Sequence, residues 1–359
     1  MSFRVFFLFY FIVSADQRSI GLLPENTMYS SFTALSIARF RFTIEPTEEI
    51  SLPEYKGSAF RGGFGHAFKR ATCITRDRYC EPCILKSSCT YFKVFESKVS
   101  RETAERLRLG GDAPHPFIIE PPLTRQGYFQ PGDRLSFSLV LIGTAIGQLP
   151  FFVYAFMILG ESFGIGKGRG RFRLVSVEDE NGKQLYDNGN LAGGFVIRSA
   201  DEIMKTDVSS DDDRMKLRFE TPLRMKTAFG RDRKALVTGM HEPADFRVLL
   251  KSLYHRAFVL GQLYGEGVDE AEYDSRNLPL VDGTVVVENA DIFWYDWERF
   301  SRRQERRMKL GGVMGEVTFS GKVAEYLPLF RLGEYLHIGK GTGFGLGKYR
   351  IAEESGKTP

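Results

Sequence analysis

A chain of 359 residues, 43% hydrophobic and 26% charged, is too apolar to stay disordered and long enough for about two domains with separate cores. Its formal net charge of +4 is too small to mark a nucleic-acid binder by itself, so the distribution of charge carries the information. Acidic residues gather in stretches such as Asp211-Asp212-Asp213, whereas Lys and Arg gather around glycines and aromatics.

Residues 1–13, MSFRVFFLFYFIV, are apolar, with Ser14-Ala15 behind them. Two readings are open: a secretory signal, too short to span a bilayer, or an upstream start codon with Met28 as the true first residue. Four cysteines and an RNA-like charge pattern weigh against secretion. Residues 1–33 are therefore taken as an N-terminal extension, the protein is expected in the cytoplasm, and no other stretch reads as a membrane span.

Ala34–Ile44 alternates as a strand, and Ser58–Ala71 reads as a helix with Phe60, Phe64, Ala67, Phe68 and Ala71 on one face. Arg134–Gly143 reads as a strand ending in glycine. Leu149-Pro150 then opens an apolar helix running to Gly160, with proline in its first turn. A glycine loop follows, GIGKGRGRFRL from Gly164 to Leu174, and Phe172–Val177 is the next strand. The polar, acidic segment Ser199–Asp213 reads as a linker.

The second half repeats the plan. Met215–Leu223 is a strand, and Asp245–Gly261 a helix with Phe246, Leu249, Leu250, Leu253, Ala257 and Leu260 inward. Val285–Glu288 and Ile292–Asp296 are extended, Gly315–Gly321 is a strand, and Leu327-Pro328 opens a helix. The second glycine loop, HIGKGTGFGLGKYRI from His337 to Ile351, contains the last strand, Tyr349–Ile351. Each half thus reads as βαββαβ, the RRM-like plan. The expected fold class is α+β: tandem ferredoxin-like domains at 34–198 and 214–355, joined by the linker 199–213, with a cysteine-rich insertion at 73–89.

Both glycine loops share I-G-K-G-x-G and run on into Gly-basic-aromatic-Arg-aliphatic. Neither fits a nucleotide signature: Arg169 and Phe344 stand where a Rossmann motif needs its third glycine, and Gly168 and Gly341 follow the Lys where a Walker motif needs Ser or Thr. The glycines would let backbone N–H groups approach a phosphate, with Lys167, Arg169, Arg171, Lys340 and Lys348 adding charge. The bland alternative is a tight turn with solvated cations, and recurrence of the same Lys favours polyanion contact. Arg299–Lys309 holds six basic residues and one acidic residue beside Trp294, Tyr295 and Trp297, placing stacking surface next to charge. Within it Arg302, Arg303, Arg306 and Arg307 are the RNA-contact candidates. Arg224 and Lys226 end a strand, and Arg247, Lys251 and His255 line one helix face, which is more often just solvated.

These motifs together resemble the CRISPR-associated precursor-crRNA processing endoribonucleases of the repeat-associated mysterious protein (RAMP) superfamily. The resemblance is carried by Tyr55-Lys56-Gly57-Ser58-Ala59-Phe60-Arg61-Gly62, the cysteine cluster, Thr221-Pro222-Leu223-Arg224, Ser301-Arg302-Arg303-Gln304, Gly311-Gly312-Val313-Met314-Gly315-Glu316-Val317 and the His337–Gly347 loop. It implies tandem ferredoxin-like folds, binding of CRISPR repeat RNA, and cleavage without a catalytic metal. The substrate's 2′-hydroxyl would be the nucleophile, leaving 2′,3′-cyclic phosphate and 5′-hydroxyl ends. A non-catalytic RNA-binding subunit of a CRISPR effector complex shares the same fold and loops and is the alternative.

That reaction needs a base at the 2′-hydroxyl, an acid at the leaving 5′-oxygen and positive charge on the phosphate. His66 lies off the apolar stripe of its helix, with Lys69 and Arg70 three and four positions later. It is the first candidate, against a plain surface histidine. His337 stands where the first loop has Gly164, which suggests proton transfer, a base contact or a helix cap. Tyr55 is a further candidate for a hydrogen bond to substrate. Cys73, Cys80, Cys83 and Cys89 are all the cysteines in the chain, and the central C-x-x-C suits a closed, structural zinc site; two disulfides or reduced thiols are the alternatives.

Overall fold

A computed structural model describes residues 29–352 apart from 30, 77–78, 111, 188, 207–212, 226–243, 269, 275–280, 282–283, 302–305 and 310. Residues 1–27, Lys226, Arg302 and Arg303 lie outside the described residues. In the N-terminal domain β1 (Ser36–Pro46) and the short β2 (Ile50–Ser51) lead into α1 (Gly57–Thr72). After the insertion come α2 (Arg101–Arg106), β3 (Phe117–Glu120), β4 (Tyr128–Phe129), β5 (Leu135–Ile142), α3 (Leu149–Ile158) and β6 (Phe172–Asp179). β7 (Gln184–Asp187) and β8 (Asn190–Leu191) extend the sheet to the order β3-β5-β1-β6-β7-β8, and β9 (Arg198–Ser199) also pairs with β1.

A short helix, α4 (Ala200–Met204), precedes β10 (Arg214–Leu223) and α5 (Ala244–Tyr264) of the C-terminal domain. Then come β11 (Val286–Tyr295), a hairpin of β12 (Glu298–Ser301) and β13 (Arg306–Lys309), β14 (Gly312–Ser320), α6 (Leu327–Leu336) and β15 (Tyr349–Ala352). This sheet has the order β11-β14-β10-β15. In both halves the outer strands of one βαβ unit flank those of the other, antiparallel throughout. The chain is therefore α+β with tandem ferredoxin-like domains, as the doubled pattern predicts.

Local chemistry accounts for most of the elements. Phe60, Phe64, Ala67 and Phe68 recur at helical spacing in α1 and are fully buried. Phe64 stacks at 5.1 Å on both Phe152 and Phe156 of α3, over the inner face of the sheet. The sheet's other face contributes Ile37, Ile118, Val140 and Ile142 to the core that α5 and α6 build with Phe246, Leu253, Phe330 and Leu336. The two domains thus share apolar packing, each fully buried side chain adding about 1.5–3 kcal/mol.

Three expectations need correction. Ser199 is not loose linker: its side chain accepts from the Glu202 N–H and the Glu202 carboxylate accepts in return, a capping box that starts α4. Ala200, Ile203 and Met204 are then buried in the shared core. The continuous helical run Gly143–Phe163 is long and apolar enough to cross a membrane, although the sequence reading expects no such segment beyond the N-terminus. Its apolarity has a packing cause, since Leu149, Phe152, Val153, Ala155 and Phe156 are buried in the N-terminal domain. β3 escapes the periodicity pattern because FIIE, buried at all four positions, shows no alternation.

Gly57 opens α1 against the second glycine loop, where a Cβ would overlap the Phe344 carbonyl. Helix propensity alone would make Gly57→Ala stabilising by up to about 1 kcal/mol. Because that carbonyl is backbone, the substitution is expected instead to destabilise by about 1–3 kcal/mol in denaturant unfolding. A stabilised variant would show that the two domains do not press together there.

Candidate nucleic-acid interface

The two glycine loops share a sequence and differ in surroundings. In the first, Gly164, Gly166, Gly168 and Arg169 all take positive φ, between 58° and 85°. Lys167 N–H donates to Ser51 O at 2.8 Å, which hangs the loop on the rim formed by β2, and a Cβ at Gly166 would overlap that same carbonyl. Lys167, Arg169 and Arg171 are exposed, with Arg171 3.9 Å from Glu48 as its ion-pair partner. This loop presents cations to solvent, as the polyanion reading requires.

The second loop is wedged between the domains. Backbone N–H groups of Ile338, Lys340, Phe344, Gly345 and Gly347 donate to Gly347, Arg224, Gly341, Thr342 and Pro222 carbonyls, so they cannot cradle a phosphate. A Cβ at Gly345 would overlap Pro121 of the N-terminal domain. Lys348 is half-buried and faces Glu120 at 3.6 Å and Glu220 at 3.5 Å, which removes it from the RNA-contact set. Lys340 remains exposed beside the half-buried Arg224.

His337 is wholly buried, contrary to a catalytic role. Its Nε2 lies 2.9 Å from Glu120 Oε1 and its Nδ1 3.1 Å from Leu346 O, so neither ring nitrogen is open to a substrate. Burial pushes its pKa down, against the pull of Glu120. Glu120, at the end of β3, also accepts from Arg39 Nη2 at 3.2 Å, and Arg39 donates onward to Glu334 O at 2.9 Å. Burial alone would raise the Glu120 carboxyl; Arg39, then His337 and Lys348, overcome this and hold it far below the usual carboxylate range.

Tyr55 is also a joint residue rather than a catalyst. It is buried, its hydroxyl donates to Phe344 O at 2.7 Å, and its ring lies 4.6 Å from Trp297 at the root of the basic hairpin. Desolvation raises its pKa well above the ordinary tyrosine value. The hairpin backbone pairs Phe300 with Arg307 and Ser301 with Arg306. Trp297 thus ties the arginine-bearing ribbon to the N-terminal domain.

His66 is exposed near the far end of α1, with Arg70 exposed one turn on. Lys69 does not stand beside them as a phosphate clamp. It is half-buried, 5.4 Å from the Tyr91 ring, and its ammonium hydrogen-bonds the Cys80 sulfur. Two of the three groups proposed on α5 are likewise engaged: Arg247 donates to Val281 O at 2.7 Å and His255 Nε2 to Leu107 O at 2.9 Å, whereas Lys251 is exposed. Two groups escaped the sequence reading. His115, half-buried between prolines, lies 2.9 Å from Arg61 Nη2, and Arg61 is stacked 3.7 Å over Phe95. Burial first, then Arg61, pushes the His115 pKa down to about 3, so its Nε2 accepts from the guanidinium. The one available sign was Arg61 itself, a lone cation in the apolar and glycine-rich first half of α1.

All four cysteines carry free thiols and line one cavity of about 10 Å³. Thr75 Oγ1 stands 3.9 Å from both Cys73 Sγ and Cys83 Sγ. Among the described residues, no three His, Cys, Asp or Glu side chains stand close enough as placed to hold a metal ion.

Known proteins resemble this chain in sequence pattern and in fold. Residues 217–349 match the family model of the CRISPR-associated endoribonuclease Cas6. Residues 35–200 match a second model, the AF_1859 N-terminal domain. The resemblance to CRISPR-associated RAMP processing endoribonucleases is thus borne out. An uncharacterized protein of Archaeoglobus fulgidus is 24% identical over 311 residues, 84% of this chain and 93% of that one. A chain of a partial Cas6-RT-Cas1–Cas2 complex superposes over 92% of this chain with a TM-score of 0.54 at 13% identity, a likeness of fold. This chain spans 48% of the length of that one. The region that matches Cas6 sets its glycine loop and the root of its hairpin against the N-terminal domain.

The buried carboxylate makes a prediction about pH. A depressed Glu120 pKa contributes stability that is full above its unfolded value of about 4.3 and is lost as pH falls below it. Glu120→Gln should lower stability at neutral pH by about 3–5 kcal/mol, through the cations left unpaired, and flatten the acid limb of the stability–pH profile. Denaturant midpoints measured from neutral to acidic pH check both; an unchanged acid limb would remove Glu120 from the account.

Proposed function

We propose that the protein is a CRISPR precursor RNA processing endoribonuclease, and that it binds repeat RNA and cleaves it by metal-independent transesterification. The observation that carries this reading is the match of residues 217–349 to the Cas6 family. The exposed cations of the first glycine loop supply the electrostatic surface that a sugar-phosphate backbone needs, and the arginine run that follows Trp297 in sequence adds positive charge. A base takes the proton of the 2′-hydroxyl, the 2′-oxygen attacks phosphorus, the P–O5′ bond breaks, and the 5′-oxygen takes a proton. The products are a 2′,3′-cyclic phosphate and a 5′-hydroxyl. His66 is the group assigned to proton transfer, since among the candidate catalytic side chains it alone is exposed. Arg70 is the cation nearest it in sequence on the open side of α1, and it replaces Lys69 as the phosphate partner. CRISPR repeat RNA is the partner, in the cytoplasm, with association in a larger CRISPR complex as in the solved Cas6-RT-Cas1–Cas2 assembly.

Replacing Arg302, Arg303, Arg306 and Arg307 together with Ala should weaken RNA binding and flatten its salt dependence. The log–log slope should fall by roughly 0.7–0.9 for each phosphate no longer neutralised. Filter binding across a salt series checks it. An unchanged slope, with the fold intact, makes these arginines a solvated face.

Repeat RNA from the protein's own genome tests the chemistry. A 2′-deoxy substitution at the cut site should abolish cleavage and leave binding nearly intact. His66→Ala should slow single-turnover cleavage by roughly 10²–10⁴-fold. Normal cutting by His66→Ala would move proton transfer off histidine and leave positioning dominant. Wild-type protein that binds its repeat and never cuts it would make the chain a non-catalytic effector subunit.

A further inference from the structure

The cysteine insertion is built inside out. Between Cys73 and Cys89 the described residues form only turns, and the large apolar side chains face solvent: Ile74 is 84% exposed, Tyr79 66% and Ile84 90%. Such a segment has no hydrophobic core to hold its shape, and small elements of that kind depend on a staple. What the turns gather inward is the four thiols, around one cavity of about 10 Å³, close to the size of a single small occupant. The Cys83 N–H donates to Cys80 O at 3.2 Å, closing the C-x-x-C turn, and the Cys89 N–H donates to Lys86 O at 3.4 Å.

We propose that Cys73, Cys80, Cys83 and Cys89 bind one zinc-class divalent cation as a closed tetrathiolate site. Soft sulfur ligands select such an ion, and four of them leave no position for reactive water, so the site is structural. As placed, the thiols surround the cavity without converging on it. Thr75 Oγ1, 3.9 Å from two of the sulfurs, occupies part of the space. Closure to Zn–S distances of about 2.3 Å requires rotation of half-buried thiols; Cys80 and Cys89 already pack on the edge of the N-terminal core, so Cys73 and Cys83 have the most freedom to turn toward them. Lys69, on the Cys80 sulfur, offsets the negative charge that four thiolates bring.

The consequence reaches α1. Cys73 caps that helix through its N–H to Lys69 O at 2.8 Å. Beyond Cys89, Phe95 packs on Gly65, where a Cβ would overlap its ring. An ion joining Cys73 to Cys89 therefore clasps the end of α1 that carries His66. The ion site itself does not depend on the proposed RNA chemistry.

The test uses full-length protein without a histidine tag, purified without chelator from zinc-replete cells. Metal analysis should find about one zinc per chain. A thiol reagent should leave the native cysteines unmodified until chelator is added, and Cys80→Ser/Cys83→Ser should lose the zinc. Thr75→Ala should retain it, since the hydroxyl is not a ligand. In case the serine variant misfolds, metal-free wild-type protein is titrated with cobalt. The expected result is the absorption of a tetrahedral cobalt thiolate, abolished by zinc. Four reactive thiols without zinc and without a cobalt signal overturn the proposal, as does a mass lower by four hydrogens, which means two disulfides.

Discussion

The arrangement depends on one buried carboxylate. Glu120 ends an all-apolar strand of the first domain and meets Arg39, His337 and Lys348, two of them from the second domain. An isolated buried carboxylate would cost several kcal/mol, so the charge is tolerable only while both domains are docked. That makes the pairing a register mark more than a source of stability. Apolar packing between the sheet face and α5 and α6 would accept small slides, whereas a buried carboxylate lacking one cation would not. With Glu120 fixed on His337, Phe344 is held against Tyr55 and Gly57, and Trp297 then finds the Tyr55 ring. The ribbon that carries the arginines takes its direction from that chain of contacts.

The same dependence separates the two glycine loops. Both need backbone at positive φ that a Cβ would strain, so both keep their glycines. The first has a strand rim on one side and solvent on the other, leaving its cations free to meet a polyanion. The second has another domain where the first has water, and its Lys348 is turned into an internal ion pair. Gly164 and His337 occupy equivalent positions and both take positive φ, 66° and 57°. A non-glycine residue accepts that conformation only when the surroundings over-determine it, and here two hydrogen bonds to the imidazole do so.

This contrast also sets what could be read from residues alone. Periodicity places nearly every strand and helix of both units, because hydrophobic spacing and the Leu-Pro helix starts are local signals. The departure of His337 from its internal duplicate is legible too, and it does mark a role special to the second domain. Its nature is not legible, because burial at a domain interface depends on contacts more than 200 positions apart, such as His337 with Glu120. Lys69 is misread for a similar reason: helical spacing puts it near His66, yet the neighbouring insertion recruits its ammonium. Spacing along a helix predicts which residues share a face, not which of them another segment will cover.

α1 links the consequences. Its first turn is held at the domain joint through Gly57, its last turn carries Arg70 and the cysteine cap, and His66 lies one turn before Arg70. Nine residues separate Gly57 from His66, about 13 Å along the axis at 1.5 Å per residue. Under the proposed function, that length sets how far an RNA held at the domain joint must run before it meets the histidine. A rigid spacer of this kind is useful only if both ends are fixed. The ionic cluster at Glu120 fixes the first, and the cysteine insertion is the element placed to fix the second. On the proposed function, positioning of a flexible substrate then comes from the scaffold rather than from dense contacts at the reacting atoms, which suits a surface where, among the described residues, His66 is the histidine that faces solvent.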